Sequence, residues 1–252
     1  MLRLITIPIS HYCEKARWAL DRAGIAYREE RHIQGVHMLV ARRAGGGLTT
    51  PVLVTPDQVL AESSDILRWV DERLPDGGLS TADAEVEALC GRFDEKLGPH
   101  GRRLMYVHVL KDKELVLGFN NAGVPRWEDR FIRTGWPLVL QFAKRRLDIR
   151  PGVETRDEQV VWEEFDYVAE LLADGRPYLC GDRFTAADLT FAALAAPMVV
   201  PPEYTVRLPQ PEDAGMPEGP RALVGRGREH PAGRFALEMF KQHRRERVAV
   251  PG

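Results

Sequence analysis

Residues 10–17, Ser10-His11-Tyr12-Cys13-Glu14-Lys15-Ala16-Arg17, place a hydroxyl and a thiol at the entrance of one helix. They follow an apolar run, residues 2–9, that reads as a buried strand. They lead into Trp18, Ala19, Leu20 and Ala23 at helix-compatible spacing. Unpaired backbone N–H groups and the positive end of the helix dipole gather at such an entrance, which favours a thiolate or a bound anion.

Outward from this stretch, residues 2–7 are apolar at nearly every position, as in a central parallel strand. The helix predicted from about Cys13 to Ala23 stops at Gly24. Residues 26–32 alternate Tyr27, Glu29 and Arg31 with Arg28, Glu30 and His32, a charged strand expected near a sheet edge. Strand, helix and strand make a parallel crossover unit. Residues 37–43 suit a short helix, and Gly45-Gly46-Gly47 a flexible turn. No Gly-Lys-Ser/Thr follows that triplet, which argues against a phosphate loop. Thr50-Pro51-Val52-Leu53-Val54 is a short strand opened by proline. A turn at residues 55–58 returns it through Val59-Leu60, and two strands joined so tightly are antiparallel. Glu62-Ser63-Ser64-Asp65 supplies cap-type residues for a helix carrying Ile66, Trp69, Val70 and Leu74.

The break Pro75-Asp76-Gly77-Gly78 suits a domain boundary, after which the patterning turns helical. Helical stripes are predicted over 82–97, 104–110, 136–147 and 160–172. Phe184-Thr185-Ala186-Ala187-Asp188-Leu189 reads as a capping box with a hydrophobic staple, which makes Asp188 a folding residue and not a catalytic acid. Residues 111–150 look like extra material, and 201–231 are rich in proline, glycine and charge. Both are read as surface loops, with a cover for the cleft or an interface as the alternatives.

The chain has 252 residues, 44% hydrophobic and 29% charged, enough for a substantial core in one or two domains. Its formal net charge of -2 gives no basic field for nucleic acid or an anionic membrane. Local basic runs such as Lys144-Arg145-Arg146 read as solvated helix faces. No signal peptide or membrane-spanning run is read, and three scattered cysteines suit a reducing cytoplasm. His11, Cys13, His32 and His37 match no compact zinc spacing, so no metal is expected.

The order strand, helix, strand, short helix, strand, strand, helix resembles the glutathione transferase superfamily. The resemblance rests on Ser-x-x-Cys at the first helix, Thr-Pro-Val-Leu at the third strand and Glu-Ser-Ser-Asp-Ile at the last helix. It implies an α/β thioredoxin-like domain with a four-stranded mixed sheet over residues 1–77, and an all-α helical-bundle domain over 82–252. By the same resemblance Pro51 is a cis-proline, and Thr50 offers its backbone to the cysteinyl part of glutathione. Glu62 and Ser63 hold the γ-glutamyl end; helix capping is the plainer role for that pair. Ser10 falls where the family keeps its activating hydroxyl or nucleophilic thiol, and Cys13 at the second cysteine of a Cys-x-x-Cys. The implied activity is a cytosolic, homodimeric detoxification enzyme in which Ser10 activates the thiol of its co-substrate glutathione against a small electrophile. The alternatives are a thiol-disulfide oxidoreductase using Cys13 on a disulfide substrate, and a non-catalytic interaction module. Tyr106 and His108 are the candidates for the acceptor pocket.

Overall fold

The computed structural model describes residues 1–75 and 78–248. Asp76 and Gly77, at the centre of the expected domain break, lie outside the described residues. Four strands, β1 (Leu2–Thr6), β2 (Tyr27–Arg31), β3 (Val52–Val54) and β4 (Val59–Leu60), form one sheet in the order β2-β1-β3-β4. β1 pairs parallel with β2 and antiparallel with β3, and β3 pairs antiparallel with β4. The charged strand β2 therefore lies at an edge, as its sequence requires.

Alternation along the central strands assigns their two faces. Leu4 and Leu53 join the main core with α1 (His11–Arg22) and α3 (Ser63–Asp71). Their neighbours Ile5 and Val52 turn the other way, onto Ala41 of α2 (Val36–Arg43). All four are fully buried, which explains why β1 reads as apolar at nearly every position.

From Ala84 onward the regular structure is helical. The stripe predicted over 82–97 is interrupted: α4 (Ala84–Arg92) passes through a π-helical turn, Phe93–Leu97, straight into α5 (Gly98–Val109). Periodicity cannot report one widened turn, because the apolar stripe merely shifts around the axis. α9 (Val153–Leu171) packs against α5, and α10 (Ala186–Val199) runs through the centre against α1, α4, α5 and α12 (Pro231–His243). The α10 cap is as predicted. Asp188 accepts from the Thr185 N–H at 2.8 Å and from the Leu179 N–H at 2.8 Å, so it is occupied in folding.

The two segments read as surface loops are corrected. Residues 111–150 contain α6 (Lys113–Asn120), α7 (Arg126–Thr134) and α8 (Trp136–Arg146). Glu128 of α7 is fully buried and accepts from the Ile33 N–H at 2.9 Å, with His32 Nδ1 at 2.7 Å from its other oxygen. Ile33, Leu117 and Ile132 close a small apolar core around that contact. In the second segment, residues 201–217 are irregular, but α11 (Glu218–Glu229) follows. Among the described residues no helix is long and apolar enough to cross a membrane.

Candidate functional site

α1 is buried almost all round despite carrying Glu14, Lys15 and Arg17. Each charge is matched. Arg17 bonds Glu29 at 2.7 Å and Glu14 at 3.3 Å, and Lys15 meets Asp94 at 2.7 Å. Arg244, beyond α12, reaches back to Glu14 at 2.7 Å. Burial of Arg17 favours its neutral form, but Glu29 and Glu14 outweigh that and hold it charged. Buried pairs of this kind fix α1 in one position, and with it Ser10.

Ser10 is the N-cap of α1: its Oγ accepts the Cys13 N–H at 3.4 Å, and its own N–H donates to the Ile7 carbonyl at 3.2 Å. Ser10 lines a cavity of about 330 Å³. Thr50 lines the same cavity, and the Thr50-Pro51 peptide bond is cis. Cys13 does not line it. The thiol is fully buried, and burial pushes its pKa up; the charge of Arg17 and the Ser10 and Thr50 hydroxyls offset this only in part. A thiol so placed is a poor thiolate.

Glu62 stands at the N-cap position of α3 with an exposed side chain that makes no capping bond, so the plain capping role does not describe it. It accepts instead from Thr49 Oγ1 at 3.4 Å, across the gap between β3 and α3. Ser63, the first residue of α3, is buried. The structure thus brings Ser10 and Thr50 to one wall. Glu62 is tied to Thr49, the neighbour of Thr50, and neither it nor Pro51 or Ser63 lines the cavity.

The opposite wall comes from the helical half: Met105 and Tyr106 of α5, Phe119 of α6, and Trp136 and Val139 of α8. Tyr106 is there as expected, its hydroxyl donating to Asn120 at 3.3 Å and accepting from Gln34 at 3.2 Å. His108 is not, and packs beside Gly219. His11 and Arg102, on the cavity wall near Ser10, were not read as site residues from the sequence. His11 is 4% exposed, its pKa pulled down to about 3 by burial and the nearby Arg102 charge. Arg102 itself also lines the cavity. Tyr12, adjacent to both, turns away to donate to the Asp94 carbonyl at 2.8 Å, and burial raises its pKa. Among the described residues no group of three or more His, Cys, Asp or Glu side chains is arranged to hold a metal.

The sequence matches the glutathione S-transferase N-terminal domain over residues 4–78 and the C-terminal domain over 151–220, in that order. The chain belongs to the glutathione S-transferase family. A glutathione S-transferase of Ceriporiopsis subvermispora, solved in complex with glutathione, superposes with a TM-score of 0.60 at 18% identity, over 96% of this chain and 97% of that one. Glutathione transferase GSTFuA3 of Phanerochaete chrysosporium gives 0.57 at 17% identity, over 95% and 96%. The β-etherase LigF of Sphingobium sp. strain SYK-6 gives 0.56 at 16%, over 94% and 98%. At such identities the likeness speaks for the fold, which this transferase-family chain shares along nearly its whole length. No curated protein matches the sequence.

Proposed function

We propose that this glutathione S-transferase family member is a glutathione-dependent transferase, with Ser10 as the activator of the glutathione thiol. Residues 1–77 would form the glutathione domain and 82–252 the acceptor domain, acting on a small electrophile. The observation that carries the reading is the contrast at the start of α1, where Ser10 faces the cavity and Cys13 is sealed in the core. A disulfide exchange through Cys13 requires an accessible thiolate.

The Ser10 oxygen accepts from the Cys13 N–H, and its O–H, which favours the buried Cys13 thiolate in the free protein, turns to donate to the ligand sulfur. Donated to the ligand sulfur, that hydrogen bond stabilises the thiolate over the thiol. The thiol proton passes to solvent, the sulfur forms a bond to the electrophilic carbon, and the leaving group departs with its electron pair. Thr50 lines the cavity beside Ser10 and presents its backbone to the cysteinyl unit, Pro51 fixing the turn in that backbone. Glu62, with no capping bond to make, is available to pair with the γ-glutamyl ammonium. Ser63 and the first turn of α3 receive the adjoining carboxylate.

The test is a titration of the intact protein with glutathione. Saturable binding that weakens about tenfold or more in Glu62→Ala is expected, in line with loss of a charged hydrogen bond. Absence of binding by the unaltered protein would overturn the proposal.

A further inference from the structure

Among the described residues the cavity is lined by two arginines, Arg102 and Arg146, and by no aspartate or glutamate, in a chain whose net charge is -2. Arg102 makes no hydrogen bond or ion pair among the described residues, and its Nε is buried without a partner. The adjacent Arg103 shows what pairing looks like here: it holds the buried Asp157 through two nitrogens at 2.5 and 2.6 Å. Beside Arg102 on the cavity wall, the nearly buried His11 also leaves Nε2 without a partner. Native structures leave few buried polar atoms unsatisfied, so the Arg102 Nε and His11 Nε2 mark a polar corner in an otherwise largely apolar wall. An anionic group entering the cavity meets in Arg102 a cation with no carboxylate partner of its own.

Glutathione has two carboxylates of its own, and the orientation proposed for it directs one to Ser63 and the other toward the start of α2. Under the proposed function, on which this inference rests, the tripeptide starts at Glu62 and Ser63 and passes Thr50. Its third residue then continues away from α3, toward Gly35 and His37 at the start of α2. Arg146 stands on that side, near enough to His37 for its charge to be felt there. Arg102 projects from α5 beside His11 and Tyr106, on the wall shared with Met105. We propose that the acceptor substrate is an apolar electrophile bearing a carboxylate, and that Arg102 receives the carboxylate while the apolar wall of α5, α6 and α8 holds the body. Arg102 is on this account a specificity residue; the chemistry at sulfur is unchanged.

The test compares 4-chloro-3-nitrobenzoate with 4-chloro-3-nitrobenzamide as acceptors. In each, the glutathione sulfur bonds to the chlorine-bearing carbon, chloride leaves with the bonding pair, and the thiol proton goes to solvent. Each kcat/KM is divided by the uncatalysed rate constant for the same acceptor. The expected result is a benzoate preference of about tenfold or more, lost in Arg102→Met and partly kept in Arg102→Lys. Calorimetric binding of the unreactive 3-nitrobenzoate and 3-nitrobenzamide, which needs no turnover, is expected to show the same preference. Equal normalised rates and equal binding for the two overturn the inference while leaving the transferase reading intact. So does an Arg102→Met variant that raises the KM for glutathione and slows both acceptors equally, since Arg102 would then serve glutathione. Failure of the protein to bind glutathione removes the transferase reading itself, and the inference with it.

Discussion

The Tyr12 hydroxyl donates to the Asp94 carbonyl at 2.8 Å, so the first turn of α1 is fastened to the π-helical turn between α4 and α5. A π turn withdraws a carbonyl from the regular helical ladder and makes it available to an outside donor. The approach is tight: a β-carbon at Gly98 would stand 2.1 Å from the Tyr12 oxygen. Tyr12→Phe is expected to cost about 1 kcal/mol, and Gly98→Val more, because its side chain must push the Tyr12 ring aside as well as break that bond. Urea unfolding of the two variants checks the order.

Ser10→Ala removes an N-cap and, on the proposed mechanism, the donor to the glutathione sulfur. The first loss is expected to lower stability by about 0.5–2 kcal/mol. The second moves the rise with pH of kcat/KM for the electrophile, measured at saturating glutathione, to higher pH, because the bound thiol now ionises later. Cys13→Ala should leave that pH profile where it is. A pH–rate series on the three proteins makes the comparison, and a profile displaced by Cys13→Ala and not by Ser10→Ala would reverse the assignment.

Glu14 is fully buried between Arg17 and Arg244. Replacing it by alanine leaves two buried cations short of an anion, and a loss of about 3–5 kcal/mol is expected. A double-mutant cycle with Arg244→Met, read by thermal unfolding, should return a large part of that loss as coupling.

Stability is expected to fall as pH drops below neutrality. Burial holds His11 at about 3 in the folded protein against 6.5 for the free side chain. Between those values only the unfolded chain takes up the proton, which favours unfolding by up to ~1.4 kcal/mol per pH unit. Burial also lowers His37, to about 4, adding a second contribution of the same sign down to that pH. Chemical denaturation from pH 7 to pH 4 should show a shallower decline in His11→Gln.

The sheet and its helices were legible because each depends on local pattern: β1 is mostly apolar, β2 is charged as an edge strand is, and Pro51 precedes β3. The capping box at Thr185 and Asp188 is local too, and the structure matches it. What escaped depends on partners far along the chain. Residues 111–150 looked like surplus because nothing nearby announces that Glu128 will be buried under Ile33. Arg102 and Arg103 look alike in sequence, yet a step of about 100° around a helix sends one to the cavity and the other to Asp157. The one available signal was spacing: Arg102 lies four residues before Tyr106, on the same helix face.

The contacts at the far end of the chain also set an order of events. Trp18 donates to the His243 carbonyl, Arg22 pairs with Glu246, and Arg244 pairs with Glu14. During synthesis the first helix therefore emerges more than two hundred residues before these partners exist. Until residues 243–248 leave the ribosome, Glu14, Trp18 and Arg22 lack these three restraints. A nascent or truncated chain that ends before Arg244 has the strands of the thioredoxin-like half but not the finished anchoring of the helix that presents Ser10.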